Sequence, residues 1–175
     1  MIRLSLLLVA TLAASAAEWT APVDVMMDTE KCVSYDAKIE GGYLTVRVTH
    51  FGEWHTYAMD NEQRSKKALA GKMSLGVDGP TKISVGGGAK AVGQWHQSEP
   101  LDLSKPEIRW YTFGYEDPAV FVTKLDASGA SADVEIRAQA CTATKCKNIE
   151  LSLSVPVSQA GAAPDLSKLT PVLPE

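Results

Sequence analysis

Tyr43-Leu44-Thr45-Val46-Arg47-Val48-Thr49-His50 alternates apolar Leu44, Val46 and Val48 with polar neighbours. A period of two sends successive side chains to opposite faces, so this stretch predicts a strand with one face on a core and one in water. The same pattern recurs at 31–39, 82–85, 108–113, 119–125, 133–140 and 148–155. Gly41-Gly42, Asp78-Gly79-Pro80, Gly86-Gly87-Gly88, Glu116-Asp117-Pro118 and Ser128-Gly129 supply turn chemistry between these runs. Short strands at regular spacing, punctuated by Gly and Pro, predict an all-β chain folded as an antiparallel β-sandwich.

Two segments depart from this period. Residues 60–69 are rich in helix formers, open with capping residues and stop before Gly71, which predicts a short helical or loop insertion with a solvated charged face. After Val157 the composition shifts to Ser158-Gln159-Ala160-Gly161-Ala162-Ala163-Pro164, with further prolines at 171 and 174. Such a segment has little apolar surface to offset its ordering entropy and predicts a flexible Ala/Pro-rich tail over 158–175.

At the other end, Arg3 precedes an apolar run over 4–12 and then Ala13-Ala14-Ser15-Ala16-Ala17, the pattern of a secretory signal peptide over 1–17. One β-sandwich domain over 18–157 is expected to follow it. No later apolar stretch reaches the roughly 20 residues that span a bilayer, so the mature chain is expected to be soluble and periplasmic or secreted, with no membrane span. With 17 basic and 21 acidic side chains the formal net charge is −4, and nothing in that balance suggests nucleic acid or anionic lipid.

Export would put Cys32, Cys141 and Cys146 in an oxidising compartment, where thiols pair. Three cysteines are too few to staple a domain of this size, so hydrophobic burial must hold the fold. Cys141 and Cys146 sit in Ala140-Cys141-Thr142-Ala143-Thr144-Lys145-Cys146-Lys147, between the alternating runs Val134, Ile136, Ala138, Ala140 and Ile149, Leu151, Leu153, Val155. That places both thiols on the turn of a β-hairpin. Facing Cα atoms of adjacent antiparallel strands lie about 4.5–5.5 Å apart, within the reach of a disulfide.

A disulfide closing so short a loop stabilises less than the about 3 kcal/mol expected of a 15-residue loop, so redox exchange competes with stapling as the reason for the pair. Lys145 and Lys147 flank Cys146, and their positive field favours its thiolate. Cys141, at the end of a core-facing run, is expected to be the more buried sulfur and to resolve mixed disulfides formed at the accessible one. Cys32 lies in a strand-like alternation and reads as a buried free thiol packed like a small hydrophobe, with a regulatory or intermolecular disulfide as the alternative.

Other chemistry is poorly represented. His50, His55 and His96, with Met26, Met27, Met59 and Met73, offer donors that copper accepts, but not at the spacing of a compact site, so no metal and no cofactor is assigned. No serine stands in a strained elbow motif of the hydrolase kind.

The stretch Gln139-Ala140-Cys141 through Cys146, on a late hairpin of an exported sandwich, resembles the N-terminal periplasmic domain of the thiol:disulfide interchange protein DsbD, the DsbD alpha-like domain. The likeness takes in Gly52-Glu53-Trp54-His55-Thr56-Tyr57 and Trp110-Tyr111-Thr112-Phe113-Gly114-Tyr115, covering roughly 23–157, with the cysteine pair as its specific element. Lys147-Asn148 stands where that family often has an aromatic and proline turn.

The resemblance implies an immunoglobulin-like sandwich whose Cys-x4-Cys pair, Cys141 and Cys146, takes electrons from a membrane-embedded or thioredoxin-like thiol oxidoreductase and passes them to other exported thiol proteins. It puts His55 and Tyr57 beside the pair and offers Phe113 or Tyr115 as the aromatic residue of a loop that shields the disulfide. In that family the chain continues into a membrane domain and a thioredoxin-like domain; the tail here implies a separate soluble shuttle or adaptor. Thiol-disulfide oxidoreductase or electron shuttle is therefore the expected function. The alternative is a non-catalytic binding module whose hairpin disulfide is structural.

Overall fold

Leu44, Val46 and Val48 are fully buried, while Tyr43, Thr45, Arg47 and Thr49 between them are not, so the alternation that predicts the first strand is realised side chain by side chain. The structure is a computed structural model, which describes residues 17–70, 72 and 79–174. The expected signal peptide lies outside the described residues apart from Ala17, as do Met73 and Asp78.

Among the described residues the strands are β1 (Val23–Met27), β2 (Glu30–Glu40), β3 (Tyr43–His50), β4 (His55–Tyr57), β5 (Lys82–Ala91), β6 (His96–Gln97), β7 (Leu101–Asp102), β8 (Phe113–Tyr115), β9 (Ala119–Cys141), β10 (Cys146–Pro156) and β11 (Thr170–Pro171). Every pairing between them is antiparallel. One sheet runs β1-β2-β3-β9-β6-β11. In the other, β10 borders β9, while β5 and β4 share its opposite side and β4 leads on to β8 and β7.

Strand β9 belongs to both sheets, its first half to one and its second half to the other, which makes the molecule an immunoglobulin-like sandwich. The inward side chains of its second half, Ala132, Val134, Ile136 and Ala140, pack with Ile149, Leu153 and Val155 of β10 and with Val33, Tyr35, Ala37 and Ile39 of β2. Each fully buried aliphatic side chain of this kind contributes about 1.5–3 kcal/mol.

The glycine-rich stretches expected to end strands do not end them. Strand β5 runs through Gly86-Gly87-Gly88, and β9 runs through Ser128-Gly129, with the ladder continuous from Lys82↔Arg137 to Ala91↔Leu125 apart from a register shift between Gly87 and Ala89. A Cβ on Gly88 would stand 2.6 Å from the Gly129 Cα, and one on Gly129 2.6 Å from the Gly88 Cα. The two backbones therefore touch where both strands bend from one sheet into the other, an approach open only to glycine.

The run at 108–113 also differs from its expected strand. Pro106–Ile108 forms a single 3-10 turn and Arg109 takes a left-handed conformation at φ 55°. Pro106 has a fixed φ and no N–H to donate to a ladder, so β8 begins only at Phe113.

The expected insertion is a helix, α1 (Asn61–Ala68). It buries Asn61 and Ser65, one turn apart, and exposes the Glu62–Lys66 ion pair. The N-terminal Asp60 does not cap the helix with its side chain. Its carboxylate, 0 % exposed, instead accepts from Arg64 Nε at 2.8 Å, Gln97 Nε2 at 2.6 Å and the Leu173 amide at 2.9 Å.

That last bond belongs to a tail expected to hang free. The chain past Val157 is laid back on the sandwich: the Gly41 amide donates to Ala160 O, β11 extends the sheet beyond β6, and Leu173 closes on Asp60. Backbone hydrogen bonds and one buried carboxylate hold it, a mode of anchoring that an argument from apolar composition does not reach.

Candidate functional site

Strands β9 and β10 meet in a hairpin whose facing ends are Cys141 and Cys146, joined as a disulfide with Cα atoms 4.1 Å apart. The connecting residues are organised locally. The Thr142 amide donates to Lys145 O at 2.8 Å, and Thr142 Oγ1 accepts from the Thr144 and Lys145 amides, both at 3.3 Å. Because the even-numbered residues of the second half of β9 point into the core, Cys141 falls on the outer face of its sheet. Its strand is flanked on both sides at this point, by Cys146 in the β10 ladder and by His55 in the β4 ladder. Cys141 is 2 % exposed, whereas Cys146, on the outermost strand, is exposed.

The outer face here is the floor of a groove of about 1000 Å³. Trp54, His55 and Tyr57 line one side with the disulfide, and Leu103, Lys105, Ile108 and Trp110 line the other. The second group comes from the connection between β7 and β8, itself a small hairpin: the Leu103 amide donates to Thr112 O at 3.0 Å, and Lys105 bridges Trp110. Helix α1 holds its base. Asn61 Oδ1 accepts from the Phe113 amide at 2.6 Å, and Ser65 Oγ donates to Tyr111 O at 2.6 Å.

Ile108 and Trp110 of the β7–β8 connection line the groove. Phe113 and Tyr115, which the resemblance offers for shielding the disulfide, do not line it. Tyr115 is 3 % exposed, donates to Ser98 O at 3.0 Å and sets its ring edge-on to Phe121 at 5.7 Å. It is a core residue.

His55 and Tyr57, two apart on one strand, share the outer face, with Nε2 and Oη 3.2 Å apart and rings in edge contact at 5.4 Å. Thr56 between them points inward to His50 Nε2 at 2.8 Å. Burial, above all, lowers the His50 pKa to about 4.

Of the two lysines expected beside Cys146, only Lys145 lines the groove; Lys147 lies opposite Ala140 in the ladder and so projects to the other face of the sheet. Lys145 Nζ pairs with the Glu30 carboxylate and lies 5.1 Å from the centroid of the Trp54 ring. The hydrogen bond from Lys145, and then that from Trp54, holds the Glu30 carboxyl below its ordinary range, and Glu30 in turn raises Lys145. Glu30 has no signature in the chain that marks it as a neighbour of the disulfide, since it lies 115 residues from Lys145.

Cys32 is unpaired and 0 % exposed, with Sγ 3.8 Å from Glu30 O. Burial first, and then the Glu30 charge, raises its thiol pKa. It packs as a neutral small hydrophobe in the position read from its strand. Among the described residues no three His, Cys, Asp or Glu side chains converge as a metal site.

The fold and site together define a class: an immunoglobulin-like β-sandwich that carries a hairpin disulfide in a groove on its outer face. Two solved structures are similar to this chain in fold. The N-terminal periplasmic domain of ScsB from Proteus mirabilis is similar over 82% of this chain, at 16% identity and a TM-score of 0.56. The chain spans about half, 52%, of that structure's length. The N-terminal domain of Neisseria meningitidis DsbD, in the reduced form, is similar over 70% of this chain and 82% of that one, at 11% identity and a TM-score of 0.48. No protein-family model and no curated sequence matches the chain. At such identities the likeness is one of fold. No helix among the described residues is long and apolar enough to cross a membrane.

Proposed function

We propose that the protein is a periplasmic thiol-disulfide exchange protein working through Cys141 and Cys146. The observation that carries this reading is the asymmetry of the pair: an exposed sulfur bonded to a buried one at the floor of a groove. A sandwich fold shared with a periplasmic domain supports the compartment. Its partners in this reading are a membrane-embedded or thioredoxin-like thiol oxidoreductase as donor and exported thiol proteins as acceptors.

Reduction begins when a donor thiolate attacks Cys146 Sγ. A sulfur–sulfur bond forms to the donor, the Cys141–Cys146 bond breaks, and Cys141 leaves with the electron pair as a thiolate. A second donor thiolate then attacks the donor sulfur of the mixed disulfide and releases Cys146. The donor ends as a disulfide and the protein as a dithiol, having gained two electrons and two protons. Transfer onward reverses these steps on an acceptor disulfide. His55, opposite Cys141, gives the departing thiolate its proton, and its contact with Tyr57 orients the ring. His55→Gln is then expected to slow reduction more than Tyr57→Phe.

The test is an equilibrium redox titration with a thioredoxin-like dithiol. An exchanging bond has a potential above about −300 mV, while a structural brace lies below it. Loss of transfer in Cys146→Ser is expected. A bond inert to dithiols, or undiminished transfer in that variant, overturns the assignment.

A further inference from the structure

Glu30 opens β2, in the sheet that does not carry the disulfide hairpin, yet its carboxylate reaches two side chains next to the sulfur pair. Oε1 accepts from Trp54 Nε1 at 2.8 Å, and Oε2 binds Lys145 Nζ. Trp54 is 1 % exposed and immediately precedes His55; Lys145 immediately precedes Cys146. The ammonium also stands 5.1 Å from the Trp54 ring centroid. An ion pair, a hydrogen bond and a cation–π contact thus close a triangle of three side chains.

We propose that Glu30 is a positioning residue for the disulfide: it clamps the Lys145 turn against Trp54 and sets the charge that Cys146 meets as a thiolate. This rests on the exchange reading above.

An isolated ion pair between side chains 40% and 49% exposed would contribute little. The triangle differs because Trp54 is buried. Its indole N–H needs an acceptor, and leaving a buried donor without one is costly. The carboxylate is therefore held in place by a buried partner, and Lys145 meets an acceptor whose position is already fixed. The turn that presents Cys146 is tied by this means to the opposite sheet.

The electrostatic consequence follows from the same contact. A cation next to Cys146 favours its thiolate, and the Glu30 carboxylate offsets that cation. The other charged or titratable groups facing the groove are Glu53, then His55 and Tyr57 of β4, Asp102 and Lys105 from β7 and the connection after it, and Glu116 after β8, while Asp28 between β1 and β2 adds negative charge near Lys145. Lys147 lies on the far face of the ladder and Cys32 stays a neutral thiol beneath Glu30. Among all these, the charge of Lys145 is the one that Glu30 governs. Favouring the thiolate stabilises the reduced state and makes the disulfide more oxidising.

Glu30→Gln keeps an oxygen acceptor for Trp54 and removes the charge. Two measurements read it: alkylation of Cys146 in the reduced protein against pH, and the fraction reduced at equilibrium with glutathione. The expected result is a thiol titrating at lower pH and an equilibrium moved toward the dithiol, by about two- to fivefold, the range of an exposed charge pair. Lys145→Met, which leaves the Glu30–Trp54 bond intact, moves both readings the other way, and Glu30→Gln/Lys145→Met together return toward the unsubstituted protein. A purely structural role would shift all three variants in one direction. That pattern, or a Glu30→Gln protein identical to the original in both readings, overturns the proposal. Alkylation needs no exchange partner, so a failure of the exchange reading would show separately, as a disulfide inert to dithiols.

Discussion

His55 lies directly opposite Cys141 in the β4–β9 ladder, on the face that carries the disulfide. With β10 on its other side, Cys141 is held by neighbours on both flanks, whereas among the described residues Cys146 has a paired strand on one flank. The chemical inequality of the two sulfurs therefore comes from sheet topology: one sits on an interior strand and the other at the start of an outer one.

This inequality predicts the outcome of trapping. In Cys141→Ser the exposed Cys146 thiolate still attacks a partner disulfide, but no thiol resolves the adduct, so a mixed disulfide accumulates. In Cys146→Ser the remaining sulfur is 2 % exposed and is expected to react slowly with both partners and alkylating agents. Non-reducing gel electrophoresis after mixing with an oxidised thioredoxin-like protein distinguishes the two. Equal trapping by both variants would show that burial does not order the sulfurs.

A second prediction concerns pH. His50 has a folded-state pKa of about 4, below the about 6.5 of an unperturbed imidazole. Between these values the unfolded chain binds a proton that the folded one does not, so stability is complete above about pH 6.5 and falls as pH drops toward 4. The loss is on the order of 3 kcal/mol or less, at about 1.4 kcal/mol per pKa unit. Urea unfolding of the protein and of His50→Gln at pH 7 and pH 4.5 checks it. The substituted protein should lose less stability over this interval, and an equal loss would place the titration elsewhere.

The sandwich and its cysteine hairpin were legible because both rest on local patterns. Leu44, Val46 and Val48 announce their strand by alternation, and the short loop between two such runs brings Cys141 against Cys146. Positions whose meaning depends on distant partners were not legible. Gly88 and Gly129 read as turn residues along the chain, and only their contact across two strands shows that they permit a bend. Glu30 is one acidic residue among 21 acidic side chains until the fold brings Lys145 to it. Phe113 and Tyr115 belong to the right aromatic stretch, but after the Pro106–Ile108 turn it is Ile108 and Trp110 that line the groove.

The docked tail yields a third prediction. Ending the chain after Pro164 removes β11 and the Leu173 amide that donates to the buried Asp60 carboxylate. A hydrogen bond to a charged group contributes about 1.5–3 kcal/mol, and a loss of that order is expected in urea unfolding. Asp60→Ala should cost more, about 3–5 kcal/mol, because it strands Gln97 and takes from Arg64 its buried partner, leaving the exposed Glu99 at 3.6 Å. An unchanged unfolding midpoint in the shortened chain would mean that the tail contacts contribute nothing.

The bend shared by β5 and β9 supplies a sharper contrast, because three adjacent glycines meet different surroundings. A Cβ at Gly86 meets nothing within 4 Å, whereas at Gly88 it would fall 2.6 Å from both the Gly129 Cα and Ser131 O. Both obstacles at Gly88 are backbone atoms, so no side chain can swing aside. Gly88→Ala is therefore expected to cost about 1–3 kcal/mol, the usual range for an overpacked site, and Gly129→Ala a similar amount. Gly86→Ala should be neutral or slightly stabilising, since alanine restricts the unfolded chain more than glycine does. Gly87, at φ +68°, would confound the comparison and is left unchanged. Because β9 runs on from this bend to Cys141, forcing the strands apart should also raise the exposure of that sulfur, read as faster alkylation of Cys141 in the reduced Gly88→Ala protein. Equal stability of the Gly86→Ala and Gly88→Ala proteins would mean that the two strands can part at the bend without cost.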